Sequence, residues 1–165
     1  MGGKSFTSAE AQLRPDGKFG DRQLARFINC VMMDGKKSVA ERVVYDALDA
    51  IQAKLAKETD PGAPKEAIEV FRMAVDNVKP FVEVRSKRIG GANYQVPMTV
   101  KPKRAQSLAY RWILEAARSE KGRPMALRLA DELYNGARKE GKAMMTRDQT
   151  HRMAEANRAF AHFAN

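Results

Sequence analysis

The sequence predicts a mainly α fold, a six-helix bundle with one protruding antiparallel β-hairpin. Two observations carry that prediction. Apolar residues recur at helical spacing in six separate stretches, each bounded by Gly, Pro or Asp breakers. One stretch alone, 81–101, alternates with period two between Pro80 and Pro102 and turns on Gly90-Gly91. The 165 residues, 44% hydrophobic, suffice for one core. No repeat, low-complexity tract or composition break divides the chain, so the expectation is a flexible N-terminal arm over 1–18 and a single helical domain over 19–165, with the hairpin at about 81–101.

Residues 1–18 lack periodicity and are rich in Gly and Ser. Leu24, Phe27, Ile28 and Val31 predict a first helix over about 21–33, stopped by Asp34-Gly35. Ser38-x-x-Glu41 reads as a capping box that opens a second helix, with Ala40, Val44, Ala47, Leu48, Ile51 and Leu55 on one face. Thr59 to Gly62 form a loop, and Pro64 is suited to the first turn of a third helix, which buries Ala67, Ile68, Phe71, Ala74, Val75 and Val78. In the hairpin Val82 and Val84 alternate with Glu83, Arg85 and Lys87, while Tyr94, Val96, Met98 and Val100 alternate along the return strand. Pro97 suits an edge strand. Two strands alone are marginal, so the hairpin must lean on the helices at its base, where Tyr94 is expected to pack, and project its tip. A fourth helix over about 104–120 turns Leu108, Trp112, Ile113 and Ala116 inward. Pro124 opens a fifth, with Ala126, Leu127, Ala130, Leu133, Tyr134 and Ala137 inward, and Gly141 ends it. Thr146-x-x-Gln149 reads as a second capping box, opening a last helix with Met153, Ala154, Asn157, Phe160, Ala161 and Ala164 on one face. The nine methionines are read as packing residues.

The formal charge is +10 and the pI about 9.9. Residues 79–118 hold nine cations against Glu83 and Glu115, so +7 of the +10 falls in 40 residues. Such a concentration is a binding face for a polyanion rather than a device for solubility. Cys30 is the one cysteine, which leaves no disulfide or four-cysteine zinc site within the chain; its apolar neighbours predict a buried, reduced thiol. No run of 18 apolar residues and no signal-like apolar start occur, which leads to the expectation of a cytoplasmic protein without membrane contact.

Catalysis finds little support. Gly90-Gly91 precedes a strand and lacks the Lys-Ser/Thr of a phosphate loop. His151 and His162 are 11 residues apart on one predicted helix, ~16 Å at 1.5 Å per residue, too far to share a metal; they read as exposed or capping groups. Asp131, Glu132 and Glu140 read as acids scattered on a helix surface. No catalytic residue, metal site or cofactor is expected.

Nucleic-acid binding finds several signals. Lys36 and Lys37 precede a helix start, where free N–H groups already favour phosphate. Arg85, Lys87 and Arg88 make the outgoing hairpin arm basic, and Asn93 follows the turn. Lys101, Lys103 and Arg104 bracket Pro102 and lead into Arg111 and Arg118, spaced seven apart along one helix side. Trp112 is core by pattern, with an indole N–H able to reach a phosphate at the edge. A helical base with a basic β-arm also fits a DNA-architectural protein, for which Ile89 is the one candidate wedge at the tip.

These segments also resemble a known family. DGKKSVAERVVYDAL (34–48), VEVRSKRIGGANYQVPMTV (82–100), SLAYRWILEAAR (107–118), ALRLADEL (126–133) and HRMAEANRAFAH (151–162) are together similar to the bacterial-type small-subunit ribosomal protein seven family, in order from about Leu13 to Phe163. The resemblance implies a helical bundle with a protruding hairpin and a structural, non-enzymatic protein that binds small-subunit (16S-type) rRNA and organises the 3′ major, or head, domain early in assembly. It implies a place near the exit-site tRNA and the mRNA exit path, contact with small-subunit ribosomal protein eleven, and no homo-oligomer. It assigns rRNA contacts to Lys36, Lys37, Arg111 and Trp112, and the exit-site hairpin role to Arg85, Lys87 and Arg88. Lys101, Lys103, Arg104, Arg118 and Asn93 join them by position; before the last helix, where the family usually carries lysines, Ala143, Met144 and Met145 stand instead, and Lys142 and Arg147 serve alone.

Overall fold

The computed structural model describes residues 13–58 and 64–164. Most of the expected arm, the loop at 59–62 and Asn165 lie outside the described residues. Residues 13–18 are held by Asp16, which is buried and accepts from the backbone N–H of Phe19 (2.8 Å) and Asp21 (2.7 Å). The Lys18 ammonium reaches Asp49 at 2.7 Å and lays this segment on the second helix.

Helix α1, Arg22–Val31, is capped by Asp21, whose carboxylate accepts from the N–H groups of Gln23 (2.6 Å) and Leu24 (3.0 Å). Helix α2, Lys37–Leu55, starts without the expected capping box. Lys36 is its N-cap with no side-chain hydrogen bond, Ser38 lies inside the first turn, and Glu41 instead approaches Lys37 at 3.9 Å. Helix α3, Ala67–Val78, begins three residues after Pro64. A side chain of α2 sets that start: Gln52 accepts from the Ala67 N–H (2.9 Å) and donates to the Lys65 carbonyl (3.1 Å).

After the hairpin come α4, Pro102–Ser119, with Pro102 in its first turn, and α5, Met125–Ala137. Helix α6, Lys142–Ala156, starts four residues before Thr146, so the second capping box is also absent. Gly141, at φ 95°, opens it, and the buried Glu132 carboxylate of α5 takes the Ala143 N–H at 2.7 Å. Thr146, now mid-helix, donates back to the Lys142 carbonyl. Glu132 is therefore no surface acid. A 3-10 helix, Arg158–Ala164, ends the described chain.

The core lies where the helical periodicity put it. Leu24, Phe27, Ile28, Val44, Leu48, Ile51, Phe71, Val75, Ile113 and Leu133 are all buried. The Phe27 ring sits 5.3 Å from both Phe71 and Tyr110, and the Tyr110 hydroxyl donates to the Gln23 carbonyl. Helices α3 and α5 come close at Gly136, where a Cβ would stand 3.4 Å from the Ala74 methyl. Several inward assignments fail at the margins. Leu127 and Met153 are exposed, as are Met73 and Met145, because each falls outside the buried stripe of its helix; Met33 is exposed beyond the end of α1, and Trp112 is half-buried. Cys30 is exposed rather than buried, since it follows Ile28 by two positions and turns away from the stripe formed by Leu24, Phe27, Ile28 and Val31.

Strands β1, Val82–Ile89, and β2, Ala92–Thr99, pair antiparallel from Val82–Thr99 to Ile89–Ala92. Gly90 (φ 58°) and Gly91 (φ 90°) supply the two positive φ values of a two-residue turn. Directly opposed residues share a face. Glu83, Arg85 and Lys87 thus lie beside Met98, Val96 and Tyr94, while Val82, Val84 and Arg88 lie beside Thr99, Pro97 and Asn93. The apolar rows of the two strands fall on opposite faces, so both faces need cover. At the root Phe81 stacks on His151 of α6, ring centroids 5.9 Å apart. Further out, Tyr94 meets Phe160 (5.3 Å) and Phe163 (5.2 Å) of the 3-10 helix. Tyr94 therefore packs near the turn and not at the base, because the chain end folds back along the ribbon. The tip residues 90–93 are exposed.

Candidate nucleic-acid interface

Three elements carry the expected contact residues. The first is the α1–α2 connection, where Lys36 and Lys37 stand exposed at an uncapped helix start. The Arg118 guanidinium at the end of α4 donates to the Val31 carbonyl (3.3 Å), which brings it to the same place. Lys36 and Arg118 share a largely apolar cleft of about 390 Å³ with Met33, Val39, Val43 and Met125. Residues 82 positions apart in the chain are thereby joined.

The second is the hairpin, which divides the cations assigned to it. Arg88 and Asn93 are cross-strand neighbours, both exposed, on one face. Arg85 and Lys87 occupy the other face and are engaged there. Lys87 donates to the Phe163 carbonyl at 2.7 Å. Arg85 forks onto Oε1 of Glu83, with Nε at 2.8 Å, and Nη2 bonds the same oxygen. Oε2 of Glu83 receives Nε (3.3 Å) and Nη2 (3.2 Å) of Arg104 from α4. Burial pushes the Glu83 carboxyl up, but the hydrogen bonds and charges of Arg85 and Arg104 outweigh it and hold the group below its ordinary value. Ile89 at the tip is half-covered, not a bare wedge.

The third is the α4 flank. Lys101, at the N-cap of α4, and Arg111 are exposed; Lys103 is exposed and has a contact within the protein. Trp112 packs its indole partly against the core. Lys142 closes the far end of this flank, within 3.2 Å of Ser119 Oγ and 3.7 Å of Glu120 Oε1. Arg147 is not gathered with them. It is half-buried, donates to the Asn77 carbonyl, and pairs with Asp148. Among the described residues, Lys36, Arg88, Lys101 and Arg111 have no carboxylate partner.

Sequence reasoning missed the organising acids. Asp21 pairs with Arg72, Asp131 bridges Lys54 and Arg123, and Glu83 joins hairpin to helix. The available signal for Glu83 was its place as the sole acid between Pro80 and Pro102. His151 is more than an exposed or capping group: its Nε2 accepts from the Phe81 N–H (3.3 Å), so the neutral ring closes the hairpin root. Burial, then the Arg147 charge, lowers its pKa below 6.5, against a smaller opposing effect of Asp148. Among the described residues no group of three His, Cys, Asp or Glu is placed to hold a metal, and no helix is long and apolar enough to cross a membrane.

Fold and site together define a class: a basic helical body carrying a two-stranded arm, with uncommitted cations on arm, loop and helix flank. The chain belongs to the family Ribosomal protein S7p/S5e, whose family model matches residues 4–158. Similar relatives are each called small ribosomal subunit protein uS7. That of Rhodopirellula baltica is 56% identical over 159 residues, covering 96% of this chain and 98% of the relative. That of Bordetella petrii is 53% identical over 152 residues, 92% of each chain. That of Cupriavidus metallidurans is 56% identical over 149 residues, 90% of each.

Proposed function

We propose that this chain is a structural protein of the small ribosomal subunit that binds 16S-type rRNA directly, organises the 3′ major domain early in assembly, and sets its hairpin toward the exit-site tRNA and the departing mRNA. Family membership supports the ribosomal role. The observation that carries RNA contact is the set of exposed cations Lys36, Arg88, Lys101 and Arg111, none neutralised by a carboxylate among the described residues. Cations left unpaired on a protein of +10 charge are stabilised by phosphates, which release counterions on binding. A-form grooves hide base edges, so recognition rests on phosphate contacts and on the shape of a folded junction. Lys37, Lys103, Arg104, Arg118, Trp112 and Lys142 border the same surfaces; Lys87 and Asn93 extend them along the hairpin. Arg147 belongs to this reading only as a support of α6. Small-subunit ribosomal protein eleven is the expected protein neighbour.

The test is binding of the full chain to a 3′-major-domain transcript across a salt series. With six to ten phosphate contacts, log K should fall against log salt with a slope of roughly −4 to −9. A flat response, or equal affinity for duplex DNA of the same length, refutes the proposal.

A further inference from the structure

Glu83 is out of place on a surface meant for phosphate. It is the one acid between Pro80 and Pro102, and it cancels a charge where binding gains from every cation. It is also buried, at 8% exposure, and a buried carboxylate is costly unless its oxygens are satisfied. Both are satisfied, and in a particular way. One oxygen takes the Nε edge of Arg85 from the strand, and the other takes the Nε edge of Arg104 from the helix. The acid lies inside and the two guanidinium groups lie outward, with side chains 54% and 41% exposed. Each fork therefore keeps its Nη1 edge and one Nη2 hydrogen for another acceptor.

We propose that Glu83 is a positioning residue: it locks the Arg85 and Arg104 forks into one fixed pair at the hairpin root, and this pair selects a folded RNA backbone of matching phosphate spacing over an unstructured strand. The proposal rests on the RNA-binding reading above. Two long cationic side chains lose much rotamer freedom when they clasp a ligand; when the protein has already ordered them, the ligand does not bear that cost. A flexible strand must order its own backbone to meet two fixed forks, whereas a folded RNA already holds its phosphates in place, so pre-ordering favours the rigid partner over the flexible one. The contrast is internal to the hairpin, since Arg88 on the opposite face has no such clamp among the described residues.

The full chain, its Glu83→Gln variant and its Arg104→Lys variant are compared on two probes, a folded 3′-major-domain transcript and poly(U) of equal length. Glu83→Gln should lower the ratio of the two affinities about tenfold, a 1.4 kcal/mol loss of discrimination. Its poly(U) affinity should hold or rise, with a salt slope steeper by up to about one, because a negative charge is gone. Arg104→Lys keeps the charge and removes the fork; it should lose the same discrimination with no change in slope, and it decides the matter if Glu83→Gln melts early. An unchanged ratio in both variants, or an equal fall on both probes, overturns the positioning role and leaves RNA binding standing. Absence of any preference in the unaltered chain overturns both.

Discussion

His151 shows how one ring couples the hairpin to pH. Its neutral Nε2 accepts from Phe81, and its pKa is depressed on folding by burial and by Arg147. The unfolded chain then binds the proton more readily than the folded one, so the His151 contribution is fully present above the ordinary 6.5 and is lost as pH falls through the lower folded value. Melting curves from pH 8 to pH 5 should show the unaltered chain losing stability that His151→Gln does not lose. Glu132 is a second residue whose part is larger than its place suggests. Its buried carboxylate takes the Ala143 N–H at the start of α6, and a Cβ on Gly141 would press against it at 2.9 Å. Glu132→Ala should destabilise by about 1–3 kcal/mol in urea unfolding, because the donor is left unpaired in the interior.

The hairpin is the element whose behaviour depends most on its surroundings. With apolar rows on opposite faces, it is held by Phe81–His151 at the root and by Tyr94 against Phe160 and Phe163 further out. Truncation after Asn157 should leave amide exchange in α3 and α5 unchanged and speed exchange in β1 and β2. Uniform acceleration across all elements would show that the chain end supports the body instead. The two hairpin faces also separate charge reversals. Arg88→Glu alters an exposed side chain with no partner among the described residues, so stability should move by no more than ~0.5 kcal/mol while RNA affinity falls. Arg85→Glu sets two carboxylates against each other beside Arg104 and should cost stability as well as binding.

Across the whole molecule, the α1, α3 and α4 contributions to the core meet at Phe27, Phe71 and Tyr110. Phe71→Ala should lower unfolding free energy by about 3–5 kcal/mol, a large share of what holds a domain this size. Burial of Leu24, Phe27, Ile28, Val44, Leu48 and Ile51 was legible from spacing, and so was the turn at Gly90-Gly91. Helical and strand periods follow from the chain's own dihedral geometry and act between residues at most four apart, so a linear reading finds them. The basic character of the loop, arm and flank was legible for the same reason, as composition. The starts of α3 and α6 were not, because Gln52 and Glu132 supply them from 15 and 11 residues away. Tyr94, covered by the chain end, escaped likewise, whereas the outward turn of Cys30 follows from local helical spacing alone. Nor could spacing tell that Arg85 and Arg104 would share one carboxylate while Arg88 stood apart on the other face. Those outcomes depend on which side chains meet after the helices pack, and that meeting is a property of three-dimensional contact, to which local periodicity is blind.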